Sequence, residues 1–183
     1  METREIACAL HAKKSTAESF GGVYPIDKIP PREKLKYDHA GQSFVVVNLD
    51  PSYKTGSHWV VVCINLGGHC EYFDSYGQKP PELIENYLGK SYLCSKVQLQ
   101  SIFSTTCGQW CVMYIWSRCN GASIVQFVKE FRQKSDLDVN KLFNKHFVTE
   151  RVQVVFSQTF WISQLAKSFN EGTVHRKLQT NWS

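Results

Sequence analysis

The segment CVMYIWSRC, residues 111–119, constrains the fold more than any other part of the chain. It is apolar around its whole circumference until Arg118, and Asn120-Gly121 follows it as a helix stop signal. A helix of this kind has to be covered by the rest of the protein on every side. We therefore expect a central buried helix that begins near Cys107.

Strands and one short helix are predicted before this helix, and further helices after it. The predicted strands are rich in β-branched residues or alternate in polarity, and they span 43–50, 58–66, 70–76 and 96–102. Gly67-Gly68 predicts a hairpin turn, whereas the Gly and Pro pairs between Phe20 and Pro31 predict an ordered loop.

The predicted helices are shorter and amphipathic. They cover 81–89, 124–133 and 138–147, and a segment of mixed character follows at 150–165. This order favours an α+β fold over a doubly wound one. We expect a single domain over residues 1–165 and a loose tail over 166–183.

Cysteine content and the length of the apolar runs indicate the cellular compartment. Seven cysteines in 183 residues, with no export leader, predict reduced thiols rather than a disulfide framework. The longest apolar runs are far too short to span a membrane. The expected location is therefore the cytosol, the nucleus or a particle assembled there, without secretion or membrane insertion.

Charge is unevenly distributed along the chain. Residues 121–183 carry 9 basic and 5 acidic side chains, so +4 of the net +5 lies in this last third. Such a surface suits DNA, although solvated helix faces and a basic tail explain it equally simply.

The stretch TTCGQWC contains two cysteines with different expected roles. Thr106 and Gln109 have the spacing of a capping box, which makes Cys107 the exposed first residue of the helix. Unpaired N–H groups and the helix dipole favour a thiolate there, while Cys111 is buried one turn later. Local sequence leaves two interpretations of Cys107 open, a nucleophile or a packed cysteine.

A thiolate nucleophile needs an imidazole and a group to orient it. His58 lies where a flexible loop meets a buried strand, and Asp74 returns along the predicted hairpin towards it. A strict two-residue turn, however, pairs Asp74 with Val61, about 10 Å along the strand from His58. A longer turn or a bulge is therefore required.

An oxyanion donor is the fourth expected component. Gln100 lies seven residues before Cys107, and its side-chain N–H could act together with the Cys107 backbone N–H. Gln98 lies on the same face of the predicted strand, so spacing alone does not choose between them.

Metal and redox sites fit the sequence less well. Structural zinc sites use paired ligands across turns, and Cys107 and Cys111 instead share a helix without a matching second pair. A thioredoxin-type pair has two intervening residues, and here there are three. We predict no metal and no required cofactor.

GSHW, FDSYG and LQSIFSTTCGQWC together resemble the adenovirus-type maturation cysteine proteases, which are related to the SUMO-specific proteases. The resemblance runs from about Phe20 to Gly121. It implies a papain-like α+β fold in which the central helix packs on a mixed sheet. It also implies a catalytic set of Cys107, His58, Asp74 and Gln100. We expect Trp59, beside His58, and Gly108, which lacks side-chain bulk beside Cys107, to bind substrate.

The resemblance further implies cleavage of capsid or core precursor proteins at Gly-containing motifs. Adenovirus enzymes usually carry Glu where this chain has Asp74, as SUMO-type enzymes do. The adenovirus enzyme is activated by a disulfide-linked peptide and by DNA. Cys94 is too close to Gln100 for the family spacing, so peptide activation is not expected, whereas stimulation by DNA through the basic C-terminal third stays open.

Two other functions stay open at this stage. The first is a SUMO- or ubiquitin-like deconjugase, which uses the same chemistry on a folded modifier. The second is a DNA-binding virion component without activity, which the intact set of four residues disfavours.

Overall fold

A computed structural model describes residues 1–148 of the chain. The chain divides into two compact units, Met1–Asn144 and Lys145–Ser183, and the elements given below belong to the first. The predicted mixed segment at 150–165, the domain boundary near 165 and the tail lie outside the described residues.

The first unit contains five strands and six α-helices. The strands are β1 (Phe20–Pro25), β2 (Gln42–Asn48), β3 (Trp59–Asn65), β4 (Cys70–Phe73) and β5 (Tyr92–Cys94). The helices are α1 (Thr3–His11), α2 (Lys14–Ala17), α3 (Glu82–Leu88), α4 (Cys107–Cys119), α5 (Ile124–Phe131) and α6 (Asp136–Phe143).

The strands form one mixed sheet in the order β1-β2-β3-β4-β5. The central pairs β2–β3 and β3–β4 are antiparallel. The edge strand β1 runs parallel to β2, and the edge strand β5 runs parallel to β4. Both faces of β2 and β3 are covered, which explains why their sequences are nearly continuous runs of valine. One face packs against Ile84 and Leu88 of α3.

Helix α4 covers the other face and occupies the centre of the unit. Its residues from Trp110 to Ile115 are completely buried. The ring of Tyr114 stacks on Phe73 of β4 at 4.3 Å and meets Phe127 of α5 edge-on at 5.2 Å. The prediction of a central helix buried on all sides is confirmed.

Two predicted elements are wrong. Residues 20–25 form β1 rather than a loop, because pairing with β2 accommodates the glycines: Gly22 has a φ of 122° beside a shift in register. Residues 96–102 form no strand; the backbone N–H groups of Leu99 and Gln100 both donate to the carbonyl of Ser75 instead of to a neighbouring strand. The short edge strand lies earlier, at Tyr92–Cys94.

Candidate active site

His58 and Asp74 form a close pair at one end of the β3–β4 hairpin. The Nε2 of His58 donates to Oδ1 of Asp74 at 2.7 Å, and Asp74 is almost completely buried. The observed register pairs Val61 with Phe73, so the turn is one residue longer than two glycines alone would make it. This shift brings Asp74 one residue closer to His58, and the two side chains span the remaining gap.

Cys107 is the first residue of α4, as predicted, but its surroundings differ from the expectation. Its exposure is only 8%, so it is a buried cysteine at the base of a cleft rather than an exposed one. The predicted capping box is absent. Thr106 has near-helical backbone angles, and its hydroxyl donates to Asp136 at 2.9 Å instead of accepting from the helix.

The charges of Cys107 and His58 depend on each other. Burial opposes the thiolate, but hydrogen bonds from His58 and from the backbone N–H groups of Trp59 and Gly108 outweigh it and lower the pKa of Cys107. Burial likewise opposes the imidazolium, yet Asp74 and Cys107 raise the pKa of His58 to about 9. Since Asp74 takes Nε2, Nδ1 is the nitrogen that remains for the sulfur. The arrangement favours a thiolate–imidazolium pair.

Gln100 lies in the extended segment before α4 and is only 1% exposed. Its Oε1 accepts from the hydroxyl of Ser75 at 2.7 Å, which fixes which way the amide points. Its Nε2 then donates to the carbonyl of Ser104 at 2.8 Å and to the hydroxyl of Tyr76 at 3.3 Å. Gln98 has a different contact, because its Nε2 donates to the Gln100 backbone carbonyl at 3.0 Å.

Tyr76 is a site residue that the sequence reasoning missed. Its ring stacks on His58 with a centroid distance of 4.6 Å, and its backbone N–H donates to Oδ1 of Asp74 at 2.8 Å. Its hydroxyl accepts from Gln100 and contacts the carbonyl of Ser104. Tyr76 thus touches three of the four predicted catalytic side chains. Its position two residues after Asp74, in FDSYG, was the available signal.

Of the predicted substrate-binding residues, Trp59 lines a cleft of about 820 Å³ that also borders Cys107, whereas Gly108 lies behind Met1, which lines the same cleft. The chain's own Met1 occupies part of the space beside them. The indole Nε1 of Trp59 donates to the Met1 carbonyl at 3.1 Å. A Cβ added at Gly108 would lie 2.7 Å from the Cβ of Met1, so this close approach requires glycine.

The described residues show no metal site, disulfide or membrane-spanning helix. Within residues 1–148, no three His, Cys, Asp or Glu side chains converge as metal ligands. All seven cysteines lie in this range and none is in a disulfide there. In the same part of the chain, no helix has both the length and the apolar character needed to span a bilayer.

Part of the chain is similar to proteins of African swine fever virus. It is 31% identical over 98 residues to the SUMO-1 cysteine protease S273R of isolate Warthog/Namibia/Wart80/1980, which covers 45% of this chain and 36% of that protein. The same values apply to the cysteine protease S273R of strain Badajoz 1971 Vero-adapted. The match therefore spans about a third of the length of these relatives. No protein-family model matches the chain.

The fold has a counterpart among solved structures. The crystal structure of the African swine fever virus pS273R protease superimposes with a TM-score of 0.58 at 17% identity, covering 80% of this chain and 66% of that one. The predicted α+β fold of the adenain and SUMO-protease type is thereby confirmed. Part of the chain is thus similar to viral cysteine proteases, and the narrower adenovirus type stays a prediction.

Proposed function

We propose that this protein is a thiol endopeptidase. The observation that carries the proposal is the combination of Cys107 at the start of a buried helix with His58 and Asp74, whose mutual hydrogen bond is 2.7 Å. Each group has the environment that its role requires: a sulfur with a lowered pKa, an imidazole with a raised one, and a buried carboxylate that orients the ring.

The reaction follows from these positions. The Cys107 thiolate attacks the scissile carbonyl, and the oxyanion that forms accepts from the Cys107 backbone N–H and from Nε2 of Gln100. The His58 imidazolium protonates the leaving amine, which breaks the peptide bond. The imidazole then takes a proton from water, which hydrolyses the thioester and regenerates the thiolate.

The role proposed for Gln100 requires a free N–H. Of its two donated bonds, the one to the Tyr76 hydroxyl is the longer, 3.3 Å against 2.8 Å to the Ser104 carbonyl. The bond to Tyr76 is therefore the one that an oxyanion would replace. The bond to Ser104 would keep the amide in place during that exchange.

The proposed substrates are viral or element-encoded precursor proteins of capsid or core, cleaved at Gly-containing motifs. The viral origin of the relatives supports the first part of this proposal. The second part rests on the resemblance of GSHW, FDSYG and LQSIFSTTCGQWC to the adenovirus-type maturation proteases. Action in the virion and in the host nucleus or cytoplasm, and stimulation by DNA through the basic C-terminal third, belong to the same proposal.

A second candidate function is a SUMO-like deconjugase. One observation favours it, namely the name SUMO-1 cysteine protease, which several of the relatives carry. Reaction with a modifier-aldehyde probe, compared with cleavage of a Gly-containing peptide library, separates the two substrate classes.

The test is a profile of cleaved peptides for the unmodified protein and for Cys107→Ala, each with and without DNA. We expect cleavage after small-residue motifs in the unmodified protein and none in the variant. Alkylation with iodoacetamide at pH 7 provides a matched check, because Cys8 is an exposed thiol outside the site. Cys107 should react faster than Cys8, and full peptidase activity in Cys107→Ala would refute the proposal.

A further inference from the structure

Asp136, the first residue of α6, accepts three hydrogen bonds from the segment that carries the proposed nucleophile. Its Oδ2 accepts from the backbone N–H of Ser101 at 3.0 Å. Its Oδ1 accepts from the Thr106 hydroxyl at 2.9 Å and from the indole N–H of Trp110 at 2.8 Å. One carboxylate on a separate helix thus holds both ends of a ten-residue stretch with Cys107 inside it.

The first of these bonds acts on the turn that supports Gln100. Ser101 follows Gln100 directly, and the backbone N–H of Ser104 donates to its carbonyl at 3.0 Å. The carbonyl of Ser104 accepts in turn from the Gln100 side chain. Fixing the backbone of Ser101 therefore fixes the group that positions the Gln100 amide.

The other two bonds act on the start of α4. Thr106 immediately precedes Cys107, and Trp110, which is completely buried, lies about one turn further along the helix. Its indole N–H has Asp136 as its acceptor. Bonds to a carboxylate are stronger than bonds between neutral groups, so they hold the helix start firmly in place.

We propose that Asp136 is a positioning residue, which sets the distance between the two oxyanion donors, the Gln100 side chain and the Cys107 backbone N–H. The proposal rests on the proposed thiol endopeptidase function and adds a residue to it. Asp136 itself would not touch the substrate. Its loss would leave the His58–Asp74 pair intact, because none of its three bonds involves either residue.

An ordinary explanation of Asp136 is helix capping, since acidic side chains stabilise the first turn of a helix. Asp138 controls for this explanation. It lies in the same turn of α6, and it forms a capping box with Ser135 in which its Oδ2 accepts from the Ser135 N–H at 3.0 Å. Asp138→Asn therefore removes the same charge from the same helix without touching residues 101–110.

The experiment compares Asp136→Asn with Asp138→Asn on a Gly-containing peptide that the unmodified protein cleaves. We expect kcat of Asp136→Asn to fall by about 10- to 100-fold with KM within about twofold, since small misplacements of reacting groups have effects of this size. The rate of Cys107 alkylation should stay within about twofold of normal. Asp138→Asn should retain kcat.

Thr106→Val is the second variant, because it removes one of the three bonds without altering α6. It should lower kcat less than Asp136→Asn does, again at unchanged KM. Equal kcat for Asp136→Asn and Asp138→Asn would overturn the proposal, as would a parallel loss of alkylation rate. If the unmodified protein shows no Cys107-dependent cleavage, the proposed function is refuted first and the role of Asp136 with it.

Discussion

Two acidic residues of one short segment each form a buried pair with a basic side chain, one pair in the core and the other beside the cleft. Glu71 in β4 pairs with Arg118 of α4 through two hydrogen bonds of 2.8 Å, and its Oε2 also accepts from the Tyr114 hydroxyl at 2.6 Å. Asp74, three residues later, pairs with His58 at 2.7 Å. Glu71 and Asp74 are both buried, at 6% and 1% exposure, so burial alone does not distinguish the pairs.

The difference lies in what each pair leaves unused. Both oxygens of Glu71 are occupied, and arginine keeps its charge at every accessible pH, so no proton can move within that pair. His58 uses one nitrogen on Asp74 and keeps the other for Cys107, beside an open cleft. In this protein, a buried ion pair therefore suggests a reactive site only where one partner can change its protonation state. That partner must also have a hydrogen-bonding atom that is not used by the pair and lies beside a cavity.

The largest expected effect comes from breaking the pair at the cleft. Asp74→Asn keeps the shape of the side chain, but it loses the negative charge that selects the imidazole tautomer and stabilises the imidazolium. We expect kcat to fall by a factor on the order of 10⁴. Steady-state kinetics on a cleaved peptide measure this fall, and urea unfolding should show only a small change in stability. A variant with near-normal kcat would remove Asp74 from the mechanism.

The second effect concerns the pair in the core, where we expect a large loss of stability and no loss of kcat. Glu71→Leu leaves Arg118 charged and unpaired in a largely buried position, which should reduce the free energy of unfolding by about 3–5 kcal/mol. Measured by urea unfolding, the double variant Glu71→Leu with Arg118→Met should recover most of that loss. Tyr114→Phe added to it should recover more, since the buried hydroxyl then no longer lacks an acceptor.

The activity of the folded core variants completes this contrast. At a temperature where Glu71→Leu is still folded, its kcat should match that of the unmodified protein. A large drop in kcat there would show that the core pair acts on the site and that the two pairs are not independent.

The residues of the pair at the cleft could be predicted from the sequence, but the contacts of both pairs could not. His58, Cys107 and Asp74 could be chosen as candidates because each stands at or near the end of a predicted element. The contact between His58 and Asp74 could not be derived, since it depends on one extra residue in the turn, and hairpin register is set by the whole sheet. The role of Glu71 was not recognised, because its partner lies 47 residues away on a helix.

The errors have the same origin in long-range contacts. The glycines of β1 predict a loop when taken alone, and only pairing with β2 makes them a strand. Thr106 and Gln109 have capping-box spacing, but Asp136, thirty residues further on, takes the threonine hydroxyl instead. Local patterns predicted the elements around the valine runs and α4, where burial on all sides leaves few alternatives.

A third effect is the dependence of activity on pH, which only the titratable pair should produce. The pKa of Cys107 lies below its ordinary value and that of His58 is raised to about 9. As pH rises through the pKa of Cys107 the thiolate forms, and kcat/KM should increase. Above about pH 9 the imidazolium loses its proton and kcat/KM should decrease, while alkylation of Cys107 stays fast because the thiolate remains.

Variants of the two pairs test whether the alkaline limb of the pH profile reports His58. Asp74→Asn should move the alkaline limb of the profile to lower pH, since Asp74 raises the pKa of His58. Folded Glu71→Leu should leave the profile unchanged. An alkaline limb that moves equally in both variants would indicate that it reports unfolding instead of His58.

The smallest expected effect tests the open side of the proposed catalytic pair, where the core pair has no counterpart. The indole N–H of Trp59 faces the cleft and donates to the Met1 carbonyl at 3.1 Å, so a substrate carbonyl that displaced Met1 would find the same donor. Trp59→Phe removes that N–H and keeps an aromatic ring. A neutral hydrogen bond contributes about 0.5–1.5 kcal/mol, which corresponds to a rise in KM of roughly two- to tenfold at unchanged kcat.

The backbone N–H of Trp59, which lowers the pKa of Cys107, survives the substitution, so the acid limb of the pH profile should not move. A fall in kcat without a change in KM would instead place Trp59 with the catalytic pair, and the division between the open cleft and the reacting groups would have to be redrawn.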